Sequence, residues 1–129
     1  MTFETTVQTR YRDLDPMGHV NNAVYASYLE HARVDFFREE VGERIETSNA
    51  ALASLSLDFE RPVQRLDPVT VAVDVTDVGT TSLSLRYELS VDGERVATGE
   101  STQVALDEAG DPTPLGDDLR AAAERHLEE

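Results

Sequence analysis

The hydrophobic pattern of this chain changes its period twice, and this change constrains the fold more than any other feature. From Phe3 to Tyr11 every second residue suits a buried face, which is typical of a half-buried strand. From Asn22 the apolar residues recur at helical spacing, and from Leu55 they return to alternation over four further segments. The expected order is therefore one strand, one long helix and then four strands.

The helical segment begins after a break rich in turn-forming residues. One face of the helix carries its large apolar side chains at spacings of three and four: Tyr25, Tyr28, Leu29, Ala32 and Phe36. Asn21 or Asn22 is suited to cap its start, and Gly42 is suited to end it. We expect a helix from Asn22 to about Glu40, roughly 18 residues and about 27 Å long.

The alternating segments after the helix lie at residues 55–59, 69–75, 83–91 and 96–106. Asp92-Gly93 is a hairpin signal between the last two, and we expect all four to form an antiparallel meander. The tail, residues 115–129, carries apolar and small residues at helical spacing. It is expected to form a short surface helix with His126 on its solvent side. No second domain is indicated, so residues 1–129 are interpreted as one domain.

A curved antiparallel sheet needs a cover on one face, and the helix from Asn22 is the only long amphipathic element available. The expected fold class is α+β, with a five-stranded antiparallel sheet wrapped around one central helix. The remaining face and the sheet edges still need an explanation, for which pairing with another copy of the chain is the usual one. We expect a homodimer or a dimer of dimers.

The charge and the residue types exclude several classes of function. Cysteine is absent, which removes thiol nucleophiles, disulfides and thiolate metal sites. The 11 basic residues are all arginine, against 26 acidic residues, and the net charge is −15. This composition suggests a high-salt cytoplasm, where a Debye length of roughly 3 Å screens the self-repulsion; an acidic protein of an ordinary cell is the alternative. Nucleic acid and anionic membranes are poor partners for it.

No apolar run reaches the length of a membrane span, and residues 1–10 do not form a signal peptide. We therefore expect a cytoplasmic protein. The segment that can carry chemistry is residues 11–25, with two carboxylates, an imidazole and two amides before the start of the helix. A helix N-terminus offers unpaired N–H groups that can hold a polarised carbonyl oxygen. A carboxylate folded over that end, as Asp15 could be, is a plausible acyl-transfer site.

The motif Asp15-Pro16-Met17-Gly18-His19-Val20-Asn21-Asn22, followed by Tyr25, Tyr28-Leu29-Glu30 and Ala32-Arg33, resembles the signature of hot-dog-fold acyl-CoA thioesterases of the 4-hydroxybenzoyl-CoA thioesterase family. The similarity spans roughly residues 5–106 and does not include the tail. It implies a hot-dog fold and hydrolysis of acyl-CoA without a metal or an organic cofactor.

The resemblance also implies roles for single residues. Asp15 matches the catalytic carboxylate, as nucleophile or as general base, and the backbone N–H of Asn22 matches the group that polarises the carbonyl. His19 and Asn21 receive orienting or pocket roles. The family's site lies at a subunit interface, so the second subunit, around residues 59–63, is expected to complete it.

Substrate contacts are assigned to Tyr25, whose near end could wall an acyl pocket, and to Arg61, Arg65 and Arg86, which could meet the anionic coenzyme. Each residue also has a plainer interpretation. Asp15 could be only a turn former, His19 only a hydrogen-bonded loop residue, and the arginines members of surface ion-pair networks. Asp13 is expected to be solvated or paired with Arg12. Asp13, Asp15, His19 and His31 lack the spacing of a metal site.

Two other functions remain open. The first is a hydratase or dehydratase on the same fold, with His19 as base and Glu30 as acid, although Glu30 could equally be a helix-surface charge. The second is a module that binds acyl-CoA without catalysis. The sequence does not identify the acyl group.

Overall fold

The computed structural model describes residues 2–42, 49–64 and 66–127. Its strands and helices follow the expected order of one strand, a long helix, four strands and a short C-terminal helix. Their bounds are β1 Phe3–Gln8, a 3-10 turn Tyr11–Asp13, α1 Val24–Phe36 continued by a π-helical turn Phe37–Val41, β2 Ala50–Phe59, β3 Pro68–Val78, β4 Ser82–Val91, β5 Glu94–Ala105 and α2 Asp117–Arg125. The α+β prediction is confirmed.

The five strands form one antiparallel sheet in the order β1-β3-β4-β5-β2. The predicted four-strand meander is therefore wrong in one respect: β3, β4 and β5 form a meander, but β2 pairs with β5 at the far edge. Alternation reports which face of a strand is buried, not which strand lies beside it. The connection through α1 carries the chain from the β1 edge of the sheet to the opposite edge.

The helix covers the sheet with the face that the sequence predicts. The five residues of its apolar stripe are all buried, and Phe36 packs edge-on against Phe3 at a ring distance of 5.6 Å. Gly42 ends the helix in the left-handed conformation, with φ of 79°, which suits a residue without a side chain. No helix in the described part of the chain is long and apolar enough to cross a bilayer.

The C-terminal helix docks on the core instead of lying on the surface. His126, expected to be exposed, is 1% exposed. Its ring packs edge-on against Phe36 at 5.1 Å, its Nε2 lies 3.2 Å from a carboxylate oxygen of Glu40, and its carbonyl accepts from Val75 N–H. Helical spacing could not reveal this contact, because the partners come from distant elements.

Candidate active site

The break between β1 and α1 is a tight hairpin turn. The N–H of Asp15 donates to the His19 carbonyl at 2.8 Å, and the N–H of Gly18 donates to the Asp15 carbonyl at 2.9 Å. Leu14 and Val20 pair across the base of the turn. Gly18 has φ of 79°, a conformation that costs other L-residues free energy. The Asp-Pro-Met-Gly-His sequence is thus a closed turn with a fixed shape.

The carboxylate of Asp15 serves this turn with one of its two oxygens. Its Oδ1 accepts from the N–H of Met17 at 2.9 Å and from the N–H of His19 at 3.2 Å. Its Oδ2 accepts no hydrogen bond from any residue that the structure describes. Asp15 is therefore a turn former, as the plainer interpretation held, and it also keeps one oxygen available at a half-buried position.

The start of α1 also keeps hydrogen-bonding capacity. Asn21 organises it, because its side-chain oxygen accepts from Ala23 N–H and its carbonyl accepts from Val24 N–H, each at 2.9 Å. The N–H of Asn22 donates to no acceptor among the described residues. A helix start carries a partial positive charge, so this N–H is suited to meet a developing negative charge.

Both groups line one cavity of about 400 Å³. The predicted residues that the structure brings together there are Asp15, His19, Asn21, Asn22, Tyr25 and Arg61. Val20, Phe59, Glu60 and Pro62 of the same chain complete the described lining. The expected contribution of residues 59–63 from a second subunit stays a prediction. The hairpin turn, the helix start and the end of β2 therefore meet at one place.

The inner wall of the cavity is aromatic. Tyr25 is 2% exposed, and its ring meets that of Phe59 edge-on at 4.9 Å. Burial raises the pKa of Tyr25, although a hydrogen bond with the Val63 backbone acts in the opposite direction. Tyr25 is thus a neutral, packed side chain near neutral pH, which agrees with its predicted position in the core and beside the pocket.

His19 has a partner that the sequence analysis missed. Its Nε2 lies 3.3 Å from Nε2 of Gln64, and the backbones of the two residues form an isolated β-bridge. The adjacent Val20 donates its N–H to the Val63 carbonyl at 2.8 Å. These contacts join the turn to the segment after β2. No local signal could have shown a pairing across 45 positions.

The arginines assigned to the coenzyme have different environments. Arg61 lies at the cavity and forms an exposed ion pair with Glu94, at 3.1 Å. It also borders a second cavity of about 530 Å³, which Asp67 and Asp92 line as well. Arg65 lies outside the described residues, and Arg86 is exposed on β4, as expected. Arg61 is therefore the one of these three that the structure places at the site.

Three other expectations can be compared with the structure. Asp13, expected to be solvated or paired with Arg12, is instead 3% exposed and hydrogen-bonded to Tyr28 and Arg10. Glu30 is exposed on α1 and is not part of the cavity that His19 lines. Within residues 2–42, 49–64 and 66–127, no three His, Cys, Asp or Glu side chains are grouped to hold a metal ion.

A larger cavity, of about 600 Å³, lies at the opposite end of α1. Its described lining is mostly apolar, with Leu83 and Leu115 among the buried members, and its ionisable residues are Asp117 and Asp118. None of the residues of the Asp15–Asn22 motif lines it. The residues that the sequence analysis singled out for chemistry lie at the smaller cavity, at the start of α1.

Comparison with known proteins points to the same chemistry. Residues 9–123 match the family model described as thioesterase-like superfamily. A solved structure of a Thermus thermophilus thioesterase complexed with coenzyme A and Zn is 35% identical, with a TM-score of 0.86, over 95% of this chain and 91% of that one.

Two further similarities concern the fold and a relative of unknown role. A Pseudomonas aeruginosa protein shares the fold with a TM-score of 0.92 at 24% identity, over 98% of this chain and 92% of that one. An uncharacterised Bacillus subtilis protein, YsmA, is 29% identical over 108 residues, which are 81% of this chain and 73% of that protein. The predicted hot-dog architecture is confirmed.

Proposed function

This chain belongs to the thioesterase-like superfamily and is a thioester hydrolase, and on that premise we propose that it hydrolyses acyl-CoA to a carboxylic acid and coenzyme A. The finer assignment to the 4-hydroxybenzoyl-CoA thioesterase family is part of this proposal. The observation that carries it is one cavity that contains both Asp15, with an available carboxylate oxygen, and Asn22, whose N–H has no acceptor among the described residues. The similar thioesterase crystallised with coenzyme A supports the choice of carrier.

In the proposed reaction, the thioester carbonyl oxygen accepts a hydrogen bond from the N–H of Asn22. As the carbonyl carbon becomes tetrahedral, negative charge develops on that oxygen, and the N–H and the positive helix end stabilise it. Oδ2 of Asp15 either attacks the carbon or takes a proton from the attacking water. Collapse of the intermediate breaks the C–S bond and expels the thiolate, which takes up a proton. With Asp15 as general base, the acid is then complete. With Asp15 as nucleophile, a water hydrolyses the mixed anhydride left on Asp15, which frees the acid and restores the carboxylate.

The other residues of the site receive supporting roles. The N–H groups of Met17 and His19 hold Oδ1 of Asp15, which leaves Oδ2 as the oxygen that acts on the substrate. Asn21 orders the helix start, and Tyr25 walls the acyl group. Arg61 and Arg65 meet the phosphates of the coenzyme.

The net charge of −15 opposes an anionic substrate unless salt screens it. We therefore include a halophilic cytoplasm in the proposal, with no nucleic acid or membrane partner and no metal or organic cofactor. Exposed ion pairs such as Arg61–Glu94 and Arg95–Glu60 fit a charged surface of this kind.

Residues 1–129 form a single domain in this proposal and act as a homodimer or a dimer of dimers. β2 supports the assembly, because within the described sheet it pairs on one side only, with β5. Most of β2 is exposed, including Leu52 at 46% and Phe59 at 45%. An edge strand with exposed apolar residues is a surface that a second copy would cover.

The test is thiol release from a panel of acyl-CoA substrates in molar salt, with aliphatic and aromatic acyl groups of several lengths. We expect turnover of at least one substrate by the wild type and a loss of about 10²- to 10⁴-fold in kcat for Asp15→Asn. Retention of ligand without thiol release would indicate a binding module. Hydration or dehydration of an acyl chain that stays attached to coenzyme A would indicate a hydratase or dehydratase, provided that His19→Ala abolishes this activity.

A further inference from the structure

Asp13 is a buried carboxylate that the proposed reaction does not use. Its Oδ2 accepts from the Tyr28 hydroxyl at 2.8 Å and from the Arg10 N–H at 2.9 Å. Its Oδ1 lies 3.4 Å from the Arg10 guanidinium. A buried carboxylate with several donors is costly to desolvate and strongly held once it is satisfied. The burial of the Asp13 carboxylate therefore suggests a role other than packing.

The main chain of Asp13 is the base of the site's hairpin turn. Its carbonyl accepts from the Asn21 N–H at 2.9 Å, and the pairing continues inward through Leu14 and Val20 to Asp15 and His19. Asp15 therefore lies two residues beyond Asp13 on one arm. On the other arm, Asn22 directly follows Asn21, the residue that is hydrogen-bonded to Asp13.

The side chain of Asp13 ties this hairpin to the helix. Tyr28 belongs to α1, six positions after Asn22, and is 2% exposed. The hydrogen bond between Tyr28 and Asp13 thus joins the arm that carries Asp15 to the helix that begins two residues after Asn22. The Asp15 carboxylate and the Asn22 N–H are the two groups that must face one carbonyl from opposite sides.

The protonation states support a permanent tie. Burial opposes the ionisation of Asp13, but hydrogen bonds from the Arg10 main chain and the Tyr28 hydroxyl outweigh it and lower the pKa of Asp13. Burial and the hydrogen bond to Asp13 raise the pKa of Tyr28 to about 12. At neutral pH Asp13 is the acceptor and Tyr28 the donor, and neither changes over the range in which a thioesterase works.

We propose that Asp13 is a positioning residue, which through Tyr28 sets the distance between the Asp15 carboxylate and the Asn22 N–H. The inference rests on the proposed function, because it assumes that these two groups act on one thioester. Misplacement by about 1 Å of a reacting group costs up to about 10²-fold in rate. A small shift at this joint is therefore visible in kcat.

The chain contains a matched control at the other end of the helix. Asp35 of α1 is also buried and accepts from the Thr5 hydroxyl of β1 at 2.7 Å. Tyr28→Phe and Thr5→Val each remove one hydroxyl donor to a buried carboxylate between the β1 side and α1, with little change of shape. Only the first of these hydrogen bonds lies beside the site.

The experiment measures kcat, KM and Tm of both variants in molar salt, with an acyl-CoA that the wild type hydrolyses. We expect Tyr28→Phe to lower kcat by about 10-fold or more, with KM little changed, and Thr5→Val to leave kcat near the wild-type value at a similar loss of Tm. In an Asp15→Asn background, Tyr28→Phe should leave the residual rate nearly unchanged, because the group that it positions is already absent.

The comparison of Asp13→Asn with Asp35→Asn repeats the test with a larger perturbation. If Asp13→Asn does not fold, the result for Tyr28→Phe alone decides the test. Equal kcat for Tyr28→Phe and Thr5→Val, or additive losses with Asp15→Asn, would overturn the positioning role while leaving the proposed function in place. Full activity of Asp15→Asn would instead overturn the proposed function itself.

Discussion

Two turns of this molecule have the same construction, and one of them lies at the candidate site. Asp15–His19 and Asp107–Asp111 are both Asp-x-x-Gly-x sequences. In each turn the aspartate N–H donates to the carbonyl four residues later at 2.8 Å, and the glycine N–H donates to the aspartate carbonyl. In each, the aspartate Oδ1 accepts from the N–H groups two and four residues ahead.

The two turns differ in their surroundings. Asp15 is half-buried and lines a cavity together with the start of α1, whereas Asp107 is exposed and its carbonyl accepts from the side chain of Asn49. The Asp-x-x-Gly-x sequence alone therefore accounts for a folded turn and not for a site. What distinguishes Asp15 is that it lines one cavity with the residues at the start of α1 and the end of β2.

The largest expected difference is between Asp15→Asn and Asp107→Asn. Both substitutions keep an oxygen that can accept the turn hydrogen bonds, so we expect similar small changes in Tm. Only Asp15→Asn removes the proposed nucleophile or base, with a loss of about 10²- to 10⁴-fold in kcat. Thiol release and thermal unfolding in the same buffer measure both quantities. Comparable activity in the two variants would mean that Asp15 is only a turn former.

A smaller contrast is expected at the glycines. Gly18 and Gly110 have φ of 79° and 87°, and apart from their chain neighbours no described residue has an atom within 4 Å of where a Cβ would stand at either position. Alanine therefore costs only the left-handed conformation, about 1–2 kcal/mol of unfolding free energy in both turns. We expect about a 10-fold loss of kcat for Gly18→Ala alone, because the turn orients Asp15.

Asparagine tolerates the left-handed conformation better than alanine. Gly18→Asn should therefore recover part of the activity that Gly18→Ala loses, which steady-state kinetics would detect. A loss of activity in Gly110→Ala equal to that in Gly18→Ala would indicate a general effect of stability instead of an effect of the site turn.

The smallest expected effect concerns pH. Because the pKa of Asp13 is lower in the folded protein than its ordinary value of 3.8, its ionised form stabilises the fold above that value. This contribution is lost as the pH falls through the lowered pKa. We expect the difference in unfolding free energy between the wild type and Asp13→Asn, about 1–3 kcal/mol near neutral pH, to shrink below about pH 4.

Urea unfolding at a series of pH values would measure this difference. Asp107→Asn serves as the comparison, because the Asp107 carboxylate is exposed and, among the described residues, accepts only from N–H groups of its own turn. If the wild type stays more stable than Asp13→Asn by the same unfolding free energy at pH 2, the stabilising hydrogen bonds of Asp13 do not depend on its ionised form, which would contradict this prediction.

Several parts of the fold could be predicted because their signals are local. The stripe from Tyr25 to Phe36 predicts the buried face of α1, and the left-handed Gly42 ends the helix within two residues of the expected end. The turn at Asp15 follows from the preference of Asp and Gly for such positions. These signals depend on residues a few positions apart, whose interactions form in any context.

The misplaced residues share the opposite property. The neighbour of β2, the burial of Asp13 and His126 and the contact of His19 with Gln64 each depend on elements far apart in sequence. A charged or polar side chain can be solvated at the surface or hydrogen-bonded in the interior, and the residue type does not indicate which of the two occurs. The partner decides, and the partner is brought there by the packing of the whole sheet.

The sequence by itself therefore determined the order of the elements, the apolar face of the helix and the break in regular structure near Asp15, since hydrophobic period and turn chemistry act over short distances. Only the tertiary structure decided that this turn, the N–H of Asn22 and the end of β2 share one cavity, while the matching turn at Asp107 stays on the surface. The sequence alone does not reveal this arrangement, because strand pairing and helix docking bring distant residues together through long-range contacts.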